Sequence, residues 1–145
     1  MAKVSVYLNF PRETEAAFSY YQSIFGGEFQ GGIHRFSDIP AQEGMPALAE
    51  EDKNLVMHVA LPLLGDFVLM GTDAPASMGF DVKQGNNVYI NLEPDTRAEA
   101  RRLFDALSSG GKVEMALQEM FWGDYYASFA DKFGVQWMIN CASKE

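Results

Sequence analysis

Among the side chains able to do chemistry, His58 stands out, set in "NLVMHVAL" at an alternating, strand-like position. An imidazole there can bind a substrate or move a proton as acid or base; a structural histidine with its hydrogen bonds satisfied in the fold is the competing reading. Glu119, in "QEMFWGDYY", is the second catalytic candidate, against a reading as a solvated carboxylate. Phe121 and Trp122 follow it in a loop, where their rings can pack on a ligand or anchor the loop to the core or to a second chain. Tyr125 and Tyr126 are neighbours in a strand-like segment and cannot both face inward, and Tyr125 is the ligand-facing candidate. His34 has the weaker case, because Gly31, Gly32 and Arg35 around it suit a bend or a surface hydrogen bond. The lone thiol, Cys141, has no histidine close by in sequence to activate it and reads as structural. No longer glycine pattern accompanies "QGGI", and "FGGE" follows a helix instead of opening one, so neither forms a nucleotide loop.

The elements that must carry these groups emerge when the chain is compared with itself. "SVYLNF" at Ser5 to Phe10 is echoed by "NVYINL" at Asn87 to Leu92. In both, one alternating set is polar or aromatic (Ser5, Tyr7, Asn9; Asn87, Tyr89, Asn91) and the other apolar, the period of a strand whose two faces meet different surroundings. A helix follows each, "TEAAFSYYQSIFGGE" and "TRAEARRLFDALSSGGK", starting at Thr and ending at a Gly-Gly pair. Thr96 and Glu99 have capping-box spacing, and Thr14 is positioned to cap the first helix. Ala17, Phe18, Tyr21, Ile24 and Phe25 form one apolar stripe, and Ala100, Leu103, Phe104 and Leu107 the other. Three strand-like segments then follow in each half, the first half interposing a polar loop from Ser37 to Lys53. The expected fold class is α+β: paired βαβββ modules, approximately residues 1–74 and 85–145, within a single 1–145 domain. Two such modules set together leave a ligand-sized cavity, which Tyr7, Asn9, Tyr89 and Asn91 are suited to line.

Composition narrows the functions available. The chain has 145 residues, 48% hydrophobic, enough to bury one real core. With 11 Lys and Arg against 20 Asp and Glu, the net charge is −9, which disfavours nucleic acid and anionic lipid as partners. The greasy stretch "LVMHVALPLLGDFVLMG" is broken by His58, Pro62, Gly65 and Asp66 and reads as two strands, not a membrane span. The opening residues lack a secretory core, and a single cysteine is compatible with a reducing compartment, so a cytoplasmic protein is expected.

The strings "YLNF", "FSYYQSIFGGE", "FVLMGTDAP" and "GGKVEMALQEMFWGDYYASFADKFGVQWMIN" together resemble the PhnB-like branch of the vicinal oxygen chelate superfamily, also called the glyoxalase and bleomycin-resistance superfamily. Almost the whole chain is covered, and the long C-terminal string is the strongest part. The resemblance implies two βαβββ modules and a homodimer. It also implies metal-ligand positions that here fall at Ser5, Asn87, approximately Leu69, and Met138, none of them a histidine or carboxylate. Hence neither the usual metal centre nor another cofactor is expected. Three functions stay open: a small-molecule-binding protein, an enzyme acting on an unidentified small metabolite through His58 and Glu119, or a homodimeric structural or interaction protein.

Overall fold

The structure is a computed structural model that describes residues 2–40, 44 and 47–145. Part of the polar loop expected from Ser37 to Lys53, residues 41–43, 45 and 46, lies outside the described residues. The chain divides after Val82 into two units, the second running Lys83–Glu145. The first contains β1 (Val6–Phe10), α1 (Thr14–Phe25), β2 (His34–Arg35), β3 (Val56–Pro62) and β4 (Val68–Asp73). The second contains β5 (Ile90–Leu92), α2 (Arg97–Ser108), β6 (Lys112–Glu119), β7 (Tyr125–Ala130) and β8 (Gln136–Cys141). Both build a four-stranded sheet with the first strand beside the last: β1-β4-β3-β2 and β5-β8-β7-β6. The first and last strands pair in parallel and the others antiparallel. These are the paired βαβββ units that the repeated phases predict.

Helix α1 presses Ala17, Phe18, Tyr21 and Ile24 onto β3 and β4. Gly71 makes this close approach possible, since a Cβ there would overlap the Phe18 ring. Leu61 and Leu69 complete a core from which water is excluded. The α1 cap differs from expectation. Thr14 is the first helical residue and its hydroxyl has no partner; its backbone N–H instead donates to Asp73 Oδ1 at 3.0 Å. Asp73 Oδ2 accepts from the Val56 N–H at 2.8 Å, so one buried carboxylate ends β4, starts β3 and complements the helix N-terminus. The chain leaves α1 at Gly26, whose positive φ of 77° is a backbone conformation that favours glycine, at the turn expected of the Gly-Gly pair.

In the second unit, α2 buries Ala100, Leu103, Phe104 and Leu107, as its stripe predicts. Thr96 caps it, its Oγ1 accepting from the Glu99 N–H at 3.1 Å. The Glu99 side chain pairs with Arg102, so the reciprocal half of the capping box is not made. The Trp137 indole, fully buried, donates to Asp131 Oδ2 at 2.8 Å, while Asp131 Oδ1 closes the turn onto the N–H groups of Phe133 and Val135. Strand β5 is shorter than the expected Asn87 to Leu92. Its partner β8 begins only at Gln136, just after that turn, so residues before Ile90 have almost no extended partner to pair with.

Candidate functional site

Side-chain alternation gives each sheet a helix-facing side and a second face. In the first unit the register pairs Tyr7 with Met70 and Asn9 with Thr72, and Met70 in turn with Ala60. His58 has the same phase as Ala60, and His34 lies directly across from His58. Tyr7, Asn9, His58 and His34 therefore share the face away from α1. The Tyr7 hydroxyl is 2.6 Å from His58 Nδ1, with the rings 5.7 Å apart. When Nδ1 is unprotonated the phenol donates; when Nδ1 carries a proton the phenol oxygen accepts it. Although the side chain as a whole is exposed, partial desolvation of the Tyr7 phenol raises its pKa above the ordinary value, and near neutral pH it is the hydroxyl, not the phenolate, that meets the imidazole. Tyr7, Asn9 and His34 are exposed, and His58 is half-buried.

The second unit repeats the device with a different partner. Tyr89 lies just ahead of β5, and its hydroxyl donates to Glu114 Oε1 at 2.6 Å. That bond first, then burial, raises its pKa. Asn91 is exposed and stands opposite Met138, which in turn faces Ser128. Gln136 has this phase as well, and its Oε1 is buried without a hydrogen-bond partner.

The remaining candidates separate. Tyr125 faces α2: Arg97 stacks 4.8 Å above its ring, and Arg101 Nη2 donates to its hydroxyl at 3.1 Å. The other face takes Tyr126, beside Trp122 at a ring separation of 6.0 Å. Glu119 ends β6 and accepts from Arg97 Nη2 at 2.8 Å, and this contact holds its carboxyl below the usual range. Arg97 also donates to the carbonyls of Ser143 and Gly123, so Glu119 belongs to a clamp joining the start of α2 to the β6–β7 turn and the C-terminal tail. Phe121 is 96% exposed at that turn, edge-on to Trp122 at 4.9 Å. The reading in which it anchors the loop to the core is thereby overturned, because it packs on no core side. Cys141 is buried.

Glu114, Met70 and Arg97 carry no signal in the sequence that marks them, and of the pair Tyr125 and Tyr126 it is Tyr126, not the expected Tyr125, that lies on the face away from α2. Strand register alone brings His34 to His58, and no local motif announces a pairing across more than twenty intervening residues.

The residues at the four metal positions do not fit a hard or borderline divalent ion. Leu69 is fully buried, Ser5 Oγ lies 3.9 Å from the Met70 sulfur, Asn87 is exposed outside β5, and Met138 offers a thioether. Among the described residues no group of three or more His, Cys, Asp or Glu could hold a metal ion. Nor, among them, is any helix long and apolar enough to cross a membrane.

A model of the Glyoxalase/Bleomycin resistance protein/Dioxygenase superfamily matches residues 6–139. Protein YjdN of Escherichia coli (strain K12) is 29% identical over 147 residues, spanning 98% of this chain and 97% of the relative. Among solved structures, protein PA1353 from Pseudomonas aeruginosa is 35% identical, with a TM-score of 0.81 covering 97% of this chain and 98% of that one. The PhnB protein from Bacillus cereus, 22% identical, shares the fold with a TM-score of 0.75, covering 97% of this chain and all (100%) of its own.

Proposed function

The chain belongs to the Glyoxalase/Bleomycin resistance protein/Dioxygenase superfamily, and from that premise we propose that it binds a small organic molecule through the sheet faces that turn away from its helices. The observation that carries this reading is the Tyr7 hydroxyl held 2.6 Å from His58 Nδ1 on such a face, with Asn9 in phase. A ring surface, an amide and a hydrogen-bonded imidazole side by side are what a polar aromatic or carbonyl-bearing ligand requires. Its repetition as Tyr89 with Glu114, beside Asn91, supports the same reading for the second unit. Trp122 and Tyr126 offer ring surface, and Phe121 extends it; Tyr125 remains a candidate only for a ligand that enters on the α2 side. A homodimer is part of the proposal, as the resemblance implies, and so is a cytoplasmic location.

The same pair favours a second, enzymatic reading. A protonated phenol against an imidazole is a proton donor and acceptor at hydrogen-bond distance, and His58 would act there as general base. Glu119 fits this role poorly, because Arg97 stabilises its ionised form.

Ligand-observed NMR with a set of aromatic acids, phenols and amides tests the proposal in metal-free buffer. Saturable binding by wild type that falls at least tenfold in both Tyr7→Phe and His58→Gln is expected. No saturable binder, or binders indifferent to both substitutions, would remove the reading. Turnover of a bound compound that His58→Gln abolishes and Glu119→Gln leaves intact would establish the enzymatic alternative.

A further inference from the structure

The pairing of the two histidines goes beyond organic-ligand binding and stands without it. His34 and His58 are the only histidines of the chain, and they lie directly opposite one another on antiparallel strands. Directly opposed residues project their side chains from the same face with Cβ atoms about 4.5–5.5 Å apart, so both imidazoles leave the sheet together. Their ring centroids are 6.1 Å apart and the planes are tilted by 38°. A zinc-class ion bonds each imidazole nitrogen at about 2.0–2.1 Å, which puts two rings on one ion at a centroid spacing of roughly 5 Å. The exposed His34 ring can supply the remaining ångström by rotation, while His58 stays in place.

Tyr7 decides which nitrogen of His58 is available. Its hydroxyl occupies Nδ1 at 2.6 Å, leaving Nε2 as the ring nitrogen with which His58 would bind an ion. A metal-bound imidazole donates its other N–H to an oxygen partner, which fixes the ring and its tautomer, and the Tyr7 oxygen already stands at that place. The net charge of −9 adds a general attraction for cations. We propose that His34 and His58 form a cross-strand chelate for a borderline divalent cation of the zinc class, with Tyr7 as the positioning residue behind His58. Two imidazoles leave the other coordination positions to water and open to an oxygen donor. This site uses β2 and β3 and none of the positions Ser5, Leu69, Asn87 or Met138.

Isothermal titration of the tag-free full chain with zinc chloride tests it. Wild type should take up one ion per chain saturably, and His34→Gln should weaken that binding by at least tenfold. Because His34 is exposed on a two-residue strand, its variant is expected to keep the wild-type far-ultraviolet circular dichroism and melting temperature, which are recorded alongside. Tyr7→Phe should lose about tenfold in affinity with stoichiometry unchanged. The chelate is overturned if wild type binds zinc no better than His34→Gln, and the positioning role of Tyr7 if Tyr7→Phe binds as wild type does.

Discussion

Tyr7 and Tyr89 show how much of a residue's chemistry depends on what its hydroxyl touches. Both phenols have raised pKa values, Tyr7 through partial desolvation and Tyr89 first through its bond to Glu114. A phenol whose folded pKa lies above the unfolded one favours the folded state fully below the ordinary tyrosine value, and that stability is lost as pH rises through the raised value. Stability to urea should therefore decline as pH climbs past the ordinary tyrosine pKa, and the decline should be shallower in Tyr7→Phe. Urea titrations across alkaline pH read this directly, and an identical decline in the variant would contradict it. On the acid side the sign reverses. Ser77 donates to Asp52 at 2.7 Å, as does Arg12, and these contacts hold the Asp52 carboxyl below its usual value. That contribution is present above the ordinary aspartate pKa and lost as pH falls through the lowered one. Ser77→Ala should accordingly raise the pH at which acid unfolding begins, as followed by circular dichroism.

At the scale of elements, the two helix starts provide an internal control. Thr96 accepts a hydrogen bond from the Glu99 N–H, so Thr96→Ala should cost about 1 kcal/mol. The Thr14 hydroxyl is buried without a partner, while Asp73 caps α1 in its place. Thr14→Val keeps the shape and removes a desolvated hydroxyl, so it should be neutral or stabilise by up to about 1 kcal/mol. Chemical denaturation of both variants compares the caps; a Thr14→Val loss equal to that of Thr96→Ala would mean the hydroxyl caps after all. Gly71→Ala, which drives a methyl into the Phe18 ring, should cost about 1–3 kcal/mol and lower the melting temperature. The helices and their buried stripes were legible because 3.6-residue periodicity is local. The Asp73 cap was not, since it comes from the far end of the unit. Tyr125 went to the α2 side for the same kind of reason: its pairing with Cys141 sets its face, and that pairing is long-range.

At the scale of the whole molecule, the repeat carried the fold. Matching phases in Ser5 to Phe10 and Asn87 to Leu92, each with a helix and a Gly-Gly exit, were enough to read βαβββ twice. They could not say which partners the two tyrosines would meet, because His58 and Glu114 occupy non-equivalent strands of their units. The repeat also leaves something to test about assembly. In the lone chain, β6 is an edge strand with Val113 and Met115 exposed, and Phe121 at its turn is 96% exposed. Unpaired edges and bare rings of this kind are stabilised by association. For the proposed homodimer, sedimentation velocity at tens of micromolar should give a mass twice the 16.1 kDa of the chain. If the exposed ring belongs to that interface, Phe121→Ser should shift the population toward monomer while the melting of each unit's core is preserved. A wild-type chain that sediments at the single-chain mass over this range would end the homodimer proposal, and the aromatic turn would then be left to the ligand.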